Sequence, residues 1–258
     1  MFTVFRNVFS ILKRISEERP NKKSAELDFW KREIPKYVEW YQGKRYLYNF
    51  TPPAQTDKHS EYGLPVDALI TWLILYQQQK YLADLRISAD QFCGMRILDV
   101  GCGPFPSIFV FKEAEYYGID PLINEYRTVG YPIDLWAHQG FHYYANSAEE
   151  IPFDDSFFHV VISVNAIDHV DYFAQTAREV KRVLKPDGVF RMHVHYHKKK
   201  VCEPIELNDQ VFLENYSWVS NLKKIYQSRT KDMGLHTAPE GELFALWGNS
   251  CFGPNEIA

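Results

Sequence analysis

A short apolar run that leads into two closely spaced glycines is the strongest chemical signal in the sequence. Met95-Arg-Ile-Leu-Asp-Val-Gly-Cys-Gly-Pro104 is typical of a buried strand that ends in a Gly-x-Gly turn. Glycine at positions 101 and 103 would let the backbone bend sharply and approach a ligand where a side chain would collide. The third glycine of a dinucleotide fingerprint is absent, since Pro104-Phe-Pro-Ser107 follows. The turn therefore favours a ligand without a pyrophosphate.

A carboxylate follows the next apolar run at the spacing of a ribose-binding site. Glu115-Tyr-Tyr-Gly-Ile-Asp120 ends in an acid about 20 residues after Gly101. In α/β nucleotide sites an acid at this position accepts hydrogen bonds from the ribose hydroxyls. Taken alone, Asp120 could simply cap a turn before Pro121. Combined with the glycine turn, it is interpreted as the ribose ligand.

Two polar residues after the run His159-Val-Val-Ile-Ser-Val164 are candidates for proton transfer. His169 follows that run at the edge where parallel strands place their ligands, and it is the first candidate for a general base. Asp168 would orient His169 or act in its place. The alternative is a structural histidine at the start of the next helix.

Three further histidines alternate along a later apolar run. On a strand His193, His195 and His197 would all point to one face, where imidazoles can bind a metal or serve as a base. No carboxylate follows them before Glu203, so we predict no metal site. A substrate or base role is assigned to His195, and the alternative is that these histidines only pack in the core or face solvent. The lysines at 198–200 are typical of a solvated loop, with contact to an anionic acceptor as the alternative.

The elements that must position these residues alternate in type along the chain. Apolar runs RILDV, YYGID, HVVISV, VFRMHV and FALWG are separated by turn signals and helical stretches, which predicts an α/β fold with a mainly parallel, Rossmann-like sheet. The runs LKKIYQS and GELFALWGN are expected to form an antiparallel pair at the sheet's edge. This domain would span residues 91–258.

Residues 1–90 are predicted to form a helical N-terminal extension that covers the cofactor. The first helix would begin at an N-cap, Ser24, and end near Gly43. Residues 51–65 are typical of a loop, and residues 66–85 of a buried helix. Several aromatic residues of the extension could stack on a sugar or simply pack in a core: Trp30, Tyr37, Trp40 and Tyr62.

The first 20 residues have apolar positions at helical spacing, which indicates an amphipathic helix. The members of its apolar face are Phe2, Phe5, Phe9, Leu12 and Ile15. This face could dock on the protein itself or on a second subunit in a homodimer. Contact with a membrane surface is the other interpretation.

Composition excludes several classes of protein. The 258 residues carry a formal net charge of −4, which gives no basic field for nucleic acid. No apolar run reaches the roughly 18 residues of a membrane span, and the N-terminus lacks a secretory cleavage site. The cysteines are scattered without metal or disulfide spacing, at Cys93, Cys102, Cys202 and Cys251. We therefore expect a cytoplasmic protein.

Four segments in order resemble the class I S-adenosylmethionine-dependent methyltransferases, particularly the branch that acts on small molecules. Residues 95–104 resemble the family's first motif and residues 117–121 its second. Residues 147–163 resemble the adenine-edge loop with the fourth strand, and residues 179–188 the turn before the fifth strand. Together they cover roughly residues 93–197. The resemblance implies a Rossmann-like fold and S-adenosylmethionine as the cofactor.

The resemblance also implies which residues bind the cofactor. The loop under its methionine part is assigned to Asp99, Gly101, Cys102 and Gly103. Asp120 would bind the ribose, and the adenine would lie among Pro121, Leu122, Ser147, Ala148 and Glu149. Asn165 would line the cleft after the fourth strand. One departure concerns Ser147, where the family often has Asp, so the contact with the adenine amino group would be weaker.

The predicted function is therefore methyl transfer to a small molecule, with oxygen as the favoured acceptor atom. A carbohydrate or glycolipid acceptor is preferred because the extension is rich in aromatic residues. The main alternative is a catalytically silent relative that binds S-adenosylmethionine or a protein partner. Ser147, where the family often has Asp, supports this alternative. An NAD-dependent oxidoreductase is disfavoured by the missing third glycine.

Overall fold

The computed structural model describes residues 22–249, so the amphipathic pattern in residues 2–15 and Cys251 lie outside the described residues. The helices are α1 (Lys22–Tyr41), α2 (Val66–Trp72), α3 (Gln78–Leu85), α4 (Ile123–Val129), α5 (Ile133–His138), α6 (Phe173–Val183) and α7 (Asp209–Tyr216). The strands are β1 (Arg96–Val100), β2 (Glu115–Ile119), β3 (Phe141–Tyr144), β4 (Phe158–Val164), β5 (Leu184–Tyr196), β6 (Lys223–Ser228), β7 (Thr230–Lys231), β8 (His236–Thr237) and β9 (Leu243–Gly248).

A seven-stranded sheet in the order β3-β2-β1-β4-β5-β9-β6 forms the centre of the fold. Strands β1 to β5 pair in parallel, and β9 pairs antiparallel with both β5 and β6. The predicted mainly parallel, Rossmann-like sheet is confirmed, together with the antiparallel pairing of the last two long runs. The antiparallel strand β9 lies one place inside the edge, which β6 occupies.

Apolar side chains cover both faces of the sheet because neighbouring residues of a strand point to opposite sides. In β1, Ile97 faces a core that includes Trp72 and Trp136, whereas Leu98 faces a second core that includes Phe190 and Phe212. Burying side chains of this size contributes about 1.5–3 kcal/mol each. The helical extension belongs to the first core, and α6 and α7 belong to the second.

The extension is helical, as predicted, and packs on the sheet through its aromatic residues. Ser24 lies inside α1 and is not its N-cap, because Lys22 and Lys23 already have helical backbone. A left-handed Gly43 with φ 76° follows the end of α1, as expected. The long buried helix contains one π-helical turn, Leu73–Gln77, between α2 and α3. A π-turn inside a helix often accompanies a functional site.

Five parallel strands bring their carboxyl ends to one edge of the sheet, and this positions the site. Strands β1 to β5 each end there, so the segments that follow them lie side by side. The backbone of the turn after β1 is tied to β2, because the amide of Gly101 donates to the carbonyl oxygen of Ile119 at 2.9 Å. Within residues 22–249, no helix is long and apolar enough to cross a membrane.

Candidate active site

A cavity of about 1310 Å³ opens at the carboxyl edge of the sheet. The strand ends contribute one wall, and the opposite wall comes from α1, from the π-helical turn and from the segment after β5. Small-molecule pockets commonly measure about 300–1,000 Å³. The cavity therefore has room for a nucleoside-type cofactor and a second small molecule.

The glycine turn after β1 forms part of the cavity wall, as predicted. Gly101 and Gly103 have φ of 72° and 60°, in the left-handed region that disfavours side chains. A Cβ at Gly103 would lie 3.4 Å from the Trp30 ring of α1. Cys102 lies between the two glycines, buried, and also borders the cavity. A ligand can therefore contact the backbone of this turn directly.

Asp120 directly follows β2 and links the glycine turn after β1 to the segment after β2. Both line the part of the cavity expected to hold the nucleoside, which is called the nucleoside side below. Its Oδ2 accepts a hydrogen bond from the amide of Gly103 at 3.1 Å, and its Oδ1 accepts from the amide of Leu122 at 2.9 Å. Burial raises the pKa of Asp120 to about 7 despite these two bonds. Pro121 and Leu122 continue the same wall.

Asp99 lies beneath the glycine turn and is fully buried. The hydroxyl of Tyr81 in α3 donates to its Oδ2 at 2.9 Å. Burial, together with the nearby Asp120, raises the pKa of Asp99 to about 7, although the hydrogen bond from Tyr81 lowers it. Asp99 is outside the cavity lining and supports the turn above it.

The loop after β3 supplies Ser147, Ala148 and Glu149 to the cavity wall, at the position expected for the adenine edge. Glu149 has a further role, because its Oε1 accepts from the amides of Asp171 at 2.8 Å and Tyr172 at 3.1 Å. The carboxylate therefore ties the adenine-edge loop to the start of α6.

Asn165 follows β4 in a left-handed conformation with φ 55° and borders the cavity. Its amide donates to the carbonyl oxygen of His193 at 2.8 Å. Its side-chain Oδ1 is buried and has no hydrogen-bond partner among the described residues. A buried acceptor of this kind is costly unless it is satisfied, so it fits a ligand with a donor group.

His169 lies in the cavity wall between two carboxylates. Its Nδ1 is 3.7 Å from Oε2 of Glu26 in α1, and its Nε2 is 3.8 Å from Oε1 of Glu203 after β5. Burial lowers the pKa of His169, but Glu26, Asp168 and Glu203 outweigh this effect and raise the pKa to about 9. The three side chains, Glu26, His169 and Glu203, are called the acid–base group below.

The other two predicted catalytic residues lie behind this wall. Asp168 is fully buried and its Oδ2 is 3.0 Å from Nε2 of His197, so it orients His197 rather than His169. His195 has its Nε2 2.9 Å from Oε2 of Glu242 at the start of β9. Neither Asp168 nor His195 borders the cavity. The face shared by His193, His195 and His197 is as predicted, and all three are buried.

One part of the cavity wall, formed by the helix over residues 66–85 and by the segment from β7 to β8, is polar. Oδ1 of Asp232 lies 3.6 Å from Nζ of Lys80, and its Oδ2 accepts from the hydroxyl of Tyr76 at 3.1 Å and lies 2.8 Å from Nδ1 of His236. Burial lowers the pKa of Lys231, as does its neighbour Lys80. This part, formed by Tyr76, Lys80, Lys231, Asp232 and His236, is called the acceptor end.

Sequence reasoning missed Glu26, Glu203 as a partner of His169, and the whole acceptor end. The aromatic residues that it singled out have different places. Trp30 borders the cavity, and its ring lies 6.2 Å from that of Phe105. Tyr37 also reaches the cavity, Trp40 is buried in the first core, and Tyr62 is exposed and stacks on His59.

These residues fit S-adenosylmethionine. The bare backbone of Gly103 facing Trp30 leaves a space that a side chain would fill. Asp120 offers carboxylate oxygens to a pair of ribose hydroxyls, and the unpartnered Oδ1 of Asn165 can accept from an amino group. The cofactor would lie between the glycine turn and the adenine-edge loop, with the acid–base group beyond it.

Comparison with known proteins shows similarity to methyltransferases. Residues 98–192 match the family model described as "Methyltransferase domain". A sterol 24-C-methyltransferase of Gibberella zeae is 33% identical over 106 residues, which cover 39% of this chain and 27% of that protein. A phthiotriol/phenolphthiotriol dimycocerosates methyltransferase of Mycobacterium tuberculosis is 32% identical over 103 residues, which cover 38% of this chain and 36% of that protein.

A solved structure shows the same fold. The YcgJ protein of Bacillus subtilis superposes with a TM-score of 0.51 at 17% identity, covering 69% of this chain and 99% of that chain. Fold and family match together define a methyltransferase domain. The matched stretch therefore identifies a methyltransferase domain on a Rossmann-like fold, in agreement with the predicted S-adenosylmethionine-dependent methyltransferase and its cofactor. The matched stretch spans about a third of the curated relatives' length, so acceptor and partners do not follow from these likenesses.

Proposed function

We propose that this protein transfers a methyl group from S-adenosylmethionine to a hydroxyl oxygen of a small polar acceptor, such as a carbohydrate or the sugar of a glycolipid. The observation that carries the proposal is the continuity of the nucleoside side of the cavity with the polar acceptor end. Charged and hydroxyl groups can hydrogen-bond to a sugar, whereas a sterol would leave them desolvated and unpaired.

When bound, S-adenosylmethionine supplies an electrophilic methyl group on a sulfonium sulfur. The chain's own residues must hold the acceptor oxygen in line with that methyl group, and such alignment can lower a barrier by about 7–11 kcal/mol. Lys80, Lys231 and Asp232 are placed to bind the acceptor's other polar groups. The loops held by Asp120 and Glu149 fix the opposite side.

The acid–base group is proposed to receive the acceptor's proton. A carbon–oxygen bond forms and a carbon–sulfur bond breaks, and the hydroxyl proton passes to the group formed by Glu26, His169 and Glu203. Its two carboxylates lie 3.7 and 3.8 Å from the imidazole, in ion-pair range, so they would stabilise the positive charge of the ring when it holds the proton. General-base assistance contributes about 10²–10⁴-fold, which is less than alignment contributes.

The extension takes part in this site, and residues 1–90 are proposed to act as its cover. Trp30 and Glu26 of α1 border the cavity opposite the strand ends. The hydroxyl of Tyr131 donates to the carbonyl oxygen of Trp30 at 2.9 Å, which holds α1 against the sheet domain. The acceptor would therefore bind between the extension and the sheet.

Calorimetric titration with S-adenosylmethionine, S-adenosylhomocysteine and NAD tests the cofactor step. Micromolar binding of the first two without binding of NAD is expected. No binding of any of the three would support a catalytically silent relative. Release of S-adenosylhomocysteine is then measured with a panel of free sugars, nucleotide sugars and a sterol, and turnover with the sterol alone would contradict the polar acceptor.

A matched pair of variants separates the two ends of the cavity. Lys231→Met is expected to raise KM for an accepted sugar at least about tenfold while the affinity for S-adenosylhomocysteine stays within about twofold. Lys223→Met, in the exposed edge strand β6, serves as the control. Equal loss of acceptor and cofactor binding in Lys231→Met would remove Lys231 from the acceptor end.

A further inference from the structure

Behind the acid–base group, four side chains converge that the proposed methyl transfer does not need as a set. Asp168, His195, His197 and Glu203 each offer one ligand atom, and these atoms all lie within 4.8 Å of one another. Asp168 comes from the turn after β4, the two histidines from β5, and Glu203 from the segment that follows β5. We call these four residues the His-carboxylate cluster.

The spacing within the cluster suits a small cation. Nε2 of His197 lies 3.0 Å from Oδ2 of Asp168 and 3.6 Å from Oε2 of Glu203. Metal–ligand distances of about 2.0–2.2 Å in a tetrahedral zinc site place its ligand atoms roughly 3.3–3.6 Å apart. The side chains therefore need only small rotamer adjustments to surround one ion.

The two nitrogens of the His197 ring both face oxygens. Nδ1 lies 2.6 Å from the carbonyl oxygen of Lys198, which can only accept, so this nitrogen carries a proton. In the neutral ring Nε2 then directs a lone pair at the carboxylates of Asp168 and Glu203. Lone pairs that converge in this way are satisfied either by a proton on Nε2 or by a cation bound among them. A backbone carbonyl that fixes the second ring nitrogen is also the usual support of a metal-binding histidine.

The surrounding charges and unsatisfied atoms favour the same conclusion. Oδ1 of Asp168, which is fully buried, has no hydrogen-bond partner among the described residues. The carboxylate of Glu242 adds a further negative charge 2.9 Å from His195. Nζ of Lys200 lies 3.2 Å from Glu203 and 3.4 Å from Glu242, but its side chain is 45% exposed and can turn to solvent.

We propose that Asp168, His195, His197 and Glu203 bind one divalent transition-metal ion of the zinc type. Two imidazoles and two carboxylates suit Zn²⁺, whereas Mg²⁺ and Ca²⁺ prefer oxygen ligands alone. Since Glu203 also lines the cavity, the ion would lie next to the acid–base group. The binding site itself does not depend on the proposed methyl transfer.

Titration of the chelator-treated full chain with ZnCl₂ tests the proposal without any acceptor or cofactor. One ion per chain with a Kd below about 1 µM is expected, and MgCl₂ should give no comparable heat. Glu203→Gln and His195→Gln should each weaken Zn²⁺ binding at least about 100-fold. His142→Gln, which changes an exposed histidine on the distant strand β3, should leave the Kd within about twofold.

Loading with Co²⁺ keeps the test decisive if a variant fails to fold. The visible bands of the wild-type protein should indicate tetrahedral coordination without the charge-transfer band of a thiolate ligand. A thiolate band would place the ion at a cysteine and overturn the proposal. Absence of Zn²⁺ binding, or binding that His195→Gln and Glu203→Gln leave unchanged, would overturn it as well and identify the cluster as a proton-bridged network.

Discussion

Gly101 and Ala166 lie directly against each other where β1 and β4 end, so closely that a Cβ on Gly101 would be 2.4 Å from the Cβ of Ala166. The contact joins the glycine turn to the segment that carries Asn165 and His169. Any side chain at position 101 would therefore push apart the cofactor loop and the acid–base group.

Gly101→Ala should lower the free energy of unfolding by about 2–4 kcal/mol, from left-handed backbone strain and from overpacking against Ala166. Urea denaturation measures the loss. Gly94→Ala is the matched control, because the φ of Gly94 is 73°, close to that of Gly101, and a Cβ added there would have no other atom within 4 Å. This variant should lose only about 1 kcal/mol of the free energy of unfolding. Adding Ala166→Gly to Gly101→Ala should recover the part of the stability that overpacking removed. If the double variant recovers no stability, the contact between Gly101 and Ala166 is not the cause.

Asp120→Asn should weaken S-adenosylhomocysteine binding at least about tenfold, because a neutral amide replaces a charged acceptor for the ribose hydroxyls. Calorimetry at pH 8 measures the change. The Asp120 pKa of about 7 adds a pH dependence, since the carboxylate is ionised above that pH. Wild-type affinity should thus rise between pH 6 and pH 8. If Asp120→Asn shows the same rise, Asp120 is not its source.

Asp99→Asn should stabilise the cofactor-free protein at alkaline pH. The folded-state pKa of about 7 lies above the ordinary value of 3.8, so the stabilising proton is present at low pH and is lost as the pH rises through 7. At pH 8 the variant should exceed wild type by about 1–4 kcal/mol in free energy of unfolding, and at pH 5 by much less. Urea denaturation at both pH values measures this difference, with the exposed Asp154→Asn as control. An equal gain at both pH values would mean that ionisation of Asp99 is not the cause.

His169→Ala should lower kcat with an accepted sugar at least about 100-fold while the Kd of S-adenosylhomocysteine changes less than about threefold. In the proposed arrangement the ring assists the acceptor and makes no hydrogen bond to the nucleoside, which is the reason for the split. His138→Ala, at an exposed position in α5, is the control. Parallel losses in kcat and cofactor affinity would assign His169 a structural role.

The sheet could be predicted because most of its strands carry dense apolar runs separated by turn signals. Strand β3 was missed, since Phe141–Tyr144 is only four residues long, lies at the sheet's edge and contains a histidine among its aromatics. The residues proposed to bind the cofactor could be singled out because each lies just after a strand end. Gly101, Asp120 and Asn165 are of this kind.

The residues on the side of the cavity away from the strand ends have no comparable pattern in the sequence. Glu26 is one acid among several charged residues of α1, and Asp232 lies in a short turn between β7 and β8. Glu26 contacts His169, and Asp232 contacts Lys80, and each pair is more than 100 positions apart in the sequence. Such contacts depend on how the extension and the last strands pack, which local periodicity does not encode. Ser24 was misplaced for a related reason, because the helix starts before it.

The acid–base group is drawn from three separate stretches of the chain, and only one of them lies within residues 98–192, which the family model matches. His169 falls inside that stretch, whereas Glu26 precedes it and Glu203 follows it. The proposed cofactor half of the cavity therefore lies within the matched stretch, while most of the proposed acceptor half lies in sequence on either side of it. The acceptor chemistry of similar proteins is better compared through the residues at the positions of Glu26, Glu203 and Asp232 than through the matched stretch.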